Sequence, residues 1–207
     1  MNTYLTSDYH LDHANIIRFT DRQFIRYNYI KLGDLYLGDI NPLTGEWISE
    51  EIKETRKQEM NTSIVKNHND VVKEEDIVYH VGDFCFKGVS NAIYWENQLN
   101  GSIVHILGNH DRNNGVKSLI THAIMEFGGL IFYVTHTPPE EMQVDTIESN
   151  LIDLCDVILC GHVHNLWKHK YIRNKICVNI GIDVWSNRPV SINSILKYIG
   201  KVKKGYA

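Results

Sequence analysis

The sequence has little that would anchor, staple or strongly charge it. No apolar run is longer than a strand, so nothing in it reads as a membrane span. Met1-Asn2-Thr3-Tyr4 carries neither a charged leader nor an apolar signal core, so the expected location is cytoplasmic. Only four cysteines occur, at 85, 155, 160 and 177, and they read as buried thiols rather than a disulfide framework. Cys155 and Cys160 precede His162 and His164, but structural zinc sites carry tighter cysteine pairs. Cys160 instead ends the apolar run Val157-Ile158-Leu159-Cys160, which reads as a strand. Charge of one sign is also scarce: 21 Lys and Arg face 25 Asp and Glu, leaving −4. That balance gives no bulk attraction for nucleic acid or an anionic membrane, so an anionic substrate must be recruited locally. Repeats, low-complexity tracts and linkers are missing too. One domain over residues 1–207 is expected, burying roughly 70% of its unfolded surface.

Short apolar runs alternate with polar, helix-patterned stretches, the signature of an α/β domain. Strands are expected at Thr3 to Thr6, Ile77 to Val81, Ile103 to Leu107, Leu130 to Thr135, Val157 to Cys160 and Ile176 to Ile180. Helices are expected at Ser49 to Asn69, Ser90 to Leu99, Thr146 to Leu154 and Ser191 to Ile199. Ser49 and Ser191 have the chemistry of N-caps, and Glu50 and Glu51 complement the dipole of the helix they open.

Polar clusters follow five of these strands directly: Asp8 and His10; Gly82-Asp83; Gly108-Asn109-His110-Asp111; His136; and Gly161-His162-Val163-His164. Each has an ordinary reading as a turn or a structural histidine when taken alone. Together they are hard to explain so. Strand carboxyl ends form the ligand crevice of an open α/β sheet, and all five clusters are rich in metal-ligand types. His162 and His164, alternate residues of extended chain, point the same way.

The order Asp-x-His, Gly-Asp, Gly-Asn-His-Asp, His, Gly-His-x-His resembles the calcineurin-like metallophosphoesterase superfamily. The strings from Thr6 to Ile17, Tyr79 to Phe84 and Asn179 to Trp185 are similar to its small stand-alone bacterial and phage phosphoesterases. The resemblance runs from about Leu5 to Trp185. It implies a four-layer sandwich, two packed mixed β-sheets flanked by helices, with a binuclear centre at one edge. By that resemblance Asp8, His10 and His164 hold one metal, Asn109, His136 and His162 the other, and Asp83 bridges them. Oxygen and imidazole donors suit two divalent ions of Mn, Fe or Zn. The implied reaction is in-line attack on phosphorus by a hydroxide shared between the metals. His110 would then protonate the leaving oxygen, with Asp111 orienting its imidazole.

His13 and Asn15 are weaker candidates for contact with substrate phosphate, a loop-stabilising Asn being the other reading, and Arg18, Arg22 and Arg188 are candidates for a bidentate clamp, each otherwise a solvated surface residue. Asp12 stands where the subgroup usually has Gly. Cys85 reads as a packing residue whose oxidation would disturb the site. The lysines from Lys197 to Lys204 read as a solvated helix end. Residues 21–47 form a longer stretch than relatives carry, with Tyr27, Tyr29, Tyr36, Trp47 and three glycines, and Asn41 to Gly45 as a turn. Such a stretch either caps the site and selects what is attached to the phosphate, or pads the surface.

The expected activity is therefore hydrolysis of phosphate esters, diesters ahead of monoesters, acting on a small molecule or nucleotide. A nuclease would want a basic, aromatic groove, which the net charge disfavours. Phosphomonoesterase or protein phosphatase activity on the same site is the other enzymatic reading. A non-catalytic scaffold could lose ligands without penalty, and here none is missing.

Overall fold

The computed structural model describes residues 1–20, 22–24, 30–32 and 35–206. In chain order the elements are β1 (Thr3–Thr6), α1 (Ile16–Phe19), β2 (Ile30–Leu32), β3 (Leu35–Leu37), α2 (Glu50–Asn69) and β4 (Ile77–Val81). Then come α3 (Val89–Glu96), β5 (Ser102–Ile106), β6 (His122–Phe127), β7 (Leu130–Thr135), α4 (Thr146–Leu154) and β8 (Val157–Cys160). The chain finishes with β9 (His169–Ile172), β10 (Lys175–Asn179), β11 (Val190–Ser191) and α5 (Ile192–Lys203). One sheet runs β11-β1-β4-β5 and the other β6-β7-β8-β10-β9, with β2 and β3 pairing apart. Both large sheets are mixed. β1, β4 and β5 are parallel, as are β7, β8 and β10, while β11, β6 and β9 add antiparallel edges.

Strand alternation explains the layering. Phe132, Val134, Val157, Leu159, Ile176 and Val178 meet Leu5, Val81 and Ile106 in the central core between the sheets. Their neighbours Tyr133, Ile158, Cys160 and Cys177 face outward and pack with Ile152 of α4. Strands buried on both faces read as unbroken apolar runs, which is why the sequence shows them plainly. On the far side of the first sheet, Met60 and Ile64 of α2 and Ala92 of α3 join Tyr9, Leu11 and Phe84. Helices thus flank two mixed sheets. Ile195, Ile199 and Val202 of α5 complete the central core.

Ser49 and Ser191 do cap α2 and α5, accepting from the N–H groups of Ile52 and Ser194. Two strands begin and end one residue earlier than the pattern suggests. Leu107 N–H already bonds Ile120 in the loop beyond, whereas Ile180 N–H makes the last bond of β10 to β8, at Cys160 O. The helix expected to reach Leu99 ends at Glu96 in short i→i+3 turns, and α5 runs past Ile199 to Lys203, so the lysine-rich end is helical. β6 and β9 escaped the sequence reading, although Gly128-Gly129 and Arg173-Asn174, all with positive φ, turn tight hairpins into β7 and β10. Among the described residues no helix is long and apolar enough to cross a membrane.

Candidate metal centre

All five polar clusters come together where the parallel strands end. After β1 the chain leaves extended geometry: Asp8 and His10 have φ of 62° and 50°, and Asp83 after β4 has 58°. His162 and His164 after β8 adopt 71° and 46°. Five non-glycine residues in the left-handed region each cost of order 1–3 kcal/mol, a cost typical of functional sites. Backbone bonds hold them there. Asp8 N–H donates to Gly82 O, His10 N–H to Asp83 O and Ile182 N–H to Ser7 O, which ties the ends of the two sheets together. Two glycines are demanded by close approach. A Cβ on Gly161 would lie 1.9 Å from Ser7 Oγ, and one on Gly82 2.3 Å from the His136 ring.

The ligand atoms fall into two groups, Asp8 with His10 and His164, and Asp83 with His136 and His162, each within 4.8 Å internally. Asn109 joins the second, its Oδ1 standing 3.1 Å from His136 Nε2. One carboxylate oxygen links the two groups: Asp83 Oδ2 is 3.5 Å from His10 Nε2 and 3.3 Å from His136 Nε2. The two groups therefore share this carboxylate. His10 is 2% exposed and neither ring nitrogen has a hydrogen-bond partner, which leaves both without a competing bond to a cation. Burial and the surrounding cations hold His10 well below its usual pKa, keeping it the neutral imidazole that a metal binds. The donor set fits divalent cations.

The electrostatics agree. Burial raises the Asp8 pKa, with Asp83 and Asp183 adding to it against His136 and His164. Burial also opposes a charged His136, but its bond to Asp83 and the charges of Asp8 and Asp83 carry it up to about 9. Facing buried carboxylates make a place that favours positive charge, and a metal binding His136 would release its proton. His136 Nδ1 lies 2.9 Å from Val81 O, which orients Nε2 toward Asp83 and Asn109.

Around this centre the structure sorts the remaining candidates. His110 is exposed beside it, its ring 5.8 Å from that of His10. Asp111 does not orient it. Its carboxylate accepts instead from the backbone N–H groups of Asp83, Phe84 and Gly108 at 2.7–2.9 Å. A short buried carboxylate is more useful there, because three loop donors would otherwise go unpaired. His13 stacks on Phe86 at 4.2 Å and lies 5.8 Å from the His10 ring, so it stays at the rim. Asn15 and Arg18 turn toward the inserted stretch: Asn15 Oδ1 accepts from Trp47 Nε1 and Arg18 pairs with Glu46 at 2.8 Å.

Arg22 is no phosphate clamp. It is buried, bidentate on Asp183 at 2.7 and 3.2 Å, and its other donors reach the carbonyls of Asp8 and Tyr9. Arg188 lines a separate cavity with Tyr4, Val71 and Trp185. Asp12 has φ 65°, and Asn61, Asn91 and Trp95 donate to its carboxylate, so the loop is locked to α2 and α3 where glycine would leave it free. Burial pushes the Cys85 thiol up to about 12, which leaves it inert. The four cysteines are all buried and free. Tyr27 and Tyr29 lie outside the described residues.

The sequence reading missed two residues. Asp183 accepts His164 Nδ1–H at 2.8 Å, leaving Nε2 for a metal; its place inside Asn179 to Trp185 was visible but not its role. Arg112, exposed, lines a cavity of about 330 Å³ together with Asn109 and His136. Its position one residue past the Gly-Asn-His-Asp cluster was the available signal.

A family model described as the calcineurin-like phosphoesterase superfamily domain matches residues 60–192. An uncharacterised protein of Methanocaldococcus jannaschii, MJ1445, is 30% identical over 205 residues, spanning 97% of this chain and 92% of that protein. The crystal structure of AQ665, a protein of unknown function from Aquifex aeolicus, has a TM-score of 0.58 at 20% identity. It covers 95% of this chain and 98% of its own. A novel archaeal phosphodiesterase also aligns, with a TM-score of 0.39 at 18% identity, covering 87% and 84% of the two chains.

Proposed function

Since the chain belongs to the calcineurin-like phosphoesterase superfamily, we propose that it hydrolyses phosphate esters, diesters in preference, at a centre of two divalent metals such as Mn, Fe or Zn. The observation that carries the reading is Asp83 Oδ2, set between His10 of one ligand group and His136 of the other. Asp8, His10 and His164 would hold one cation, and Asn109, His136 and His162 the other. When bound, the cations supply Lewis-acid polarisation of the phosphoryl group and an activated water. The protein's own residues do the rest. Asp8 and Asp83 return only two negative charges, so the site stays attractive to an anionic ester. His110, exposed at the rim, would give a proton to the departing oxygen. Four buried free thiols accord with a cytoplasmic location.

Metal titration and turnover of bis-p-nitrophenyl phosphate and p-nitrophenyl phosphate test this together. About two ions per chain are expected, with Asp83→Asn weakening both sites and His164→Ala mainly one. His110→Ala should keep its metals while kcat falls roughly 10²–10⁴-fold, less for esters with good leaving groups. Loaded protein that turns over no phosphate ester would sink the proposal.

A further inference from the structure

Asn109 and His136 form part of the wall of the cavity of about 330 Å³ that Arg112 lines, so a molecule inside it lies against the second ligand group. The volume is at the lower end of small-molecule sites. Leu107, Met142 and three threonines line it as well. Aliphatic carbon thus meets a few polar groups, the usual make-up of a ligand site.

The charge in this wall is uncommitted. Arg18, Arg22, Arg56 and Arg173 are taken by Glu46, Asp183, Asp39 and Ser149. Arg112 makes no hydrogen bond or ion pair among the described residues. The two acids that precede Met142 turn elsewhere, Glu140 to Lys170 and Glu141 to within 3.7 Å of His162. The backbone under Arg112, by contrast, is pinned. It lies in the turn Asp111–Asn114, whose first carboxylate accepts from three backbone N–H groups and whose Asn114 Nδ2 donates to His110 O at 2.9 Å. Gly115 closes the turn at φ 82°, so near α3 that a Cβ would come 2.3 Å from Val89 N. A free guanidinium on a fixed base gives up only side-chain freedom when it binds. Its planar fork matches a carboxylate or a phosphate bidentately.

We propose that Arg112 determines specificity by taking a second, non-reacting anion, carboxylate or phosphate, on a short aliphatic arm of the ester lying along Leu107 and Met142. The assignment rests on ester hydrolysis at the adjoining centre. That centre acts on one phosphoryl group, and Arg112 chooses which esters present it.

The test uses the metal-loaded protein and mixed diesters with p-nitrophenyl as the common leaving group. The second arm is propyl, 3-carboxypropyl, 3-phosphonopropyl or 3-aminopropyl, and ionic strength is kept low because salt screens an exposed guanidinium. At least one anionic arm should raise kcat/KM about fivefold or more over propyl, chiefly through KM, and the larger gain names the anion. The aminopropyl arm should gain nothing. Arg112→Ala should bring the ratio of anionic arm to propyl near one. Arg112→Lys, with the charge but not the fork, should keep part of it, and Arg112→Glu should turn the preference toward aminopropyl. Metal titration of each variant checks that its centre is loaded. A wild-type ratio near one, or an anionic advantage that survives Arg112→Ala, overturns the proposal and leaves the hydrolytic reading intact. An equal loss for propyl and anionic arms does the same, since it puts Arg112 on the scissile phosphoryl group. If no diester is turned over, calorimetric titration of the loaded protein with 4-phosphonobutyrate and propylphosphonate decides. Tighter binding of the carboxylate compound that disappears in Arg112→Ala keeps the arginine site and rejects the reaction; equal binding of the two rejects the arginine site.

Discussion

Asp183 accepts from His164, a candidate metal ligand, on one side and from a buried guanidinium on the other. Its pKa is about 2: burial pushes up, but the Arg22 charge and the bonds from His164 and Arg22 outweigh it. A carboxylate behind a metal-binding imidazole fixes its tautomer and raises its basicity, and losing such a partner commonly costs 10–100-fold in metal affinity. Asp183→Asn should therefore weaken metal binding by roughly that factor. It should also destabilise the fold, because Arg22 would keep its charge without a buried partner. The double variant Arg22→Met, Asp183→Asn separates the effects. Calorimetric melting should recover in part, whereas titrated metal affinity should stay low. Recovery of both would assign Asp183 a packing role alone.

At the scale of elements, the stretch between β1 and α2 is held by its ends. Arg18 grips Glu46, Asn15 receives Trp47, and Arg56 of α2 closes a bidentate pair on Asp39 at 2.7 and 3.1 Å. The expected turn over Asn41 to Gly45 is present, with Asn41 Oδ1 accepting from Leu43 and Thr44 and Gly45 at φ 69°. Arg56 and Asp39 are both buried, so their pair weighs more than the exposed Arg18–Glu46 contact. Asp39→Ala strands the guanidinium and should cost about 3 kcal/mol in urea unfolding, with Glu59 as partial compensation. Metal stoichiometry should not change, since the bidentate partner of Asp39 is Arg56 of α2 and not one of the proposed ligands. A loss under 1 kcal/mol would mean that the pair anchors nothing.

For the whole molecule, the packing of α2 and α3 on the first sheet buries histidines outside the metal centre. His68 sits between the Tyr9 hydroxyl at 2.7 Å and Asn100 O at 2.9 Å, and burial lowers its pKa to about 4 despite that carbonyl. His80, between Tyr9, Phe84 and His105, is pushed well below its usual value by burial and neighbouring histidines. The unfolded chain takes up a proton on each near pH 6.5, and the folded chain does not. Their contribution is thus fully present above that pH and is lost as pH falls toward 4. For His68 alone the loss is on the order of 3 kcal/mol. Chelator-treated wild type and His68→Gln, unfolded with urea from pH 7 to 4.5, should differ in slope, the variant being flatter. Parallel curves would show that His68 is not held neutral.

The sequence by itself determined the α/β class, the main strands and the loops that carry the ligands. Central parallel strands are apolar on both faces, and the residues ending them must leave the ladder, so polarity changes abruptly at each strand's end. Asp8, Asp83, Asn109, His136 and His162 could be named for that reason. The tertiary structure alone decided the partnerships across distant segments. Arg22 read as a solvated surface residue or a phosphate clamp, and Asp183, 161 residues away, takes its guanidinium instead. Asp111 read as the partner of its neighbour His110, but the meeting of the β4 and β5 loops turned its carboxylate onto three backbone donors. Hydrogen bonds are short and directional, and burial decides which are worth most, so only the folded chain could assign them.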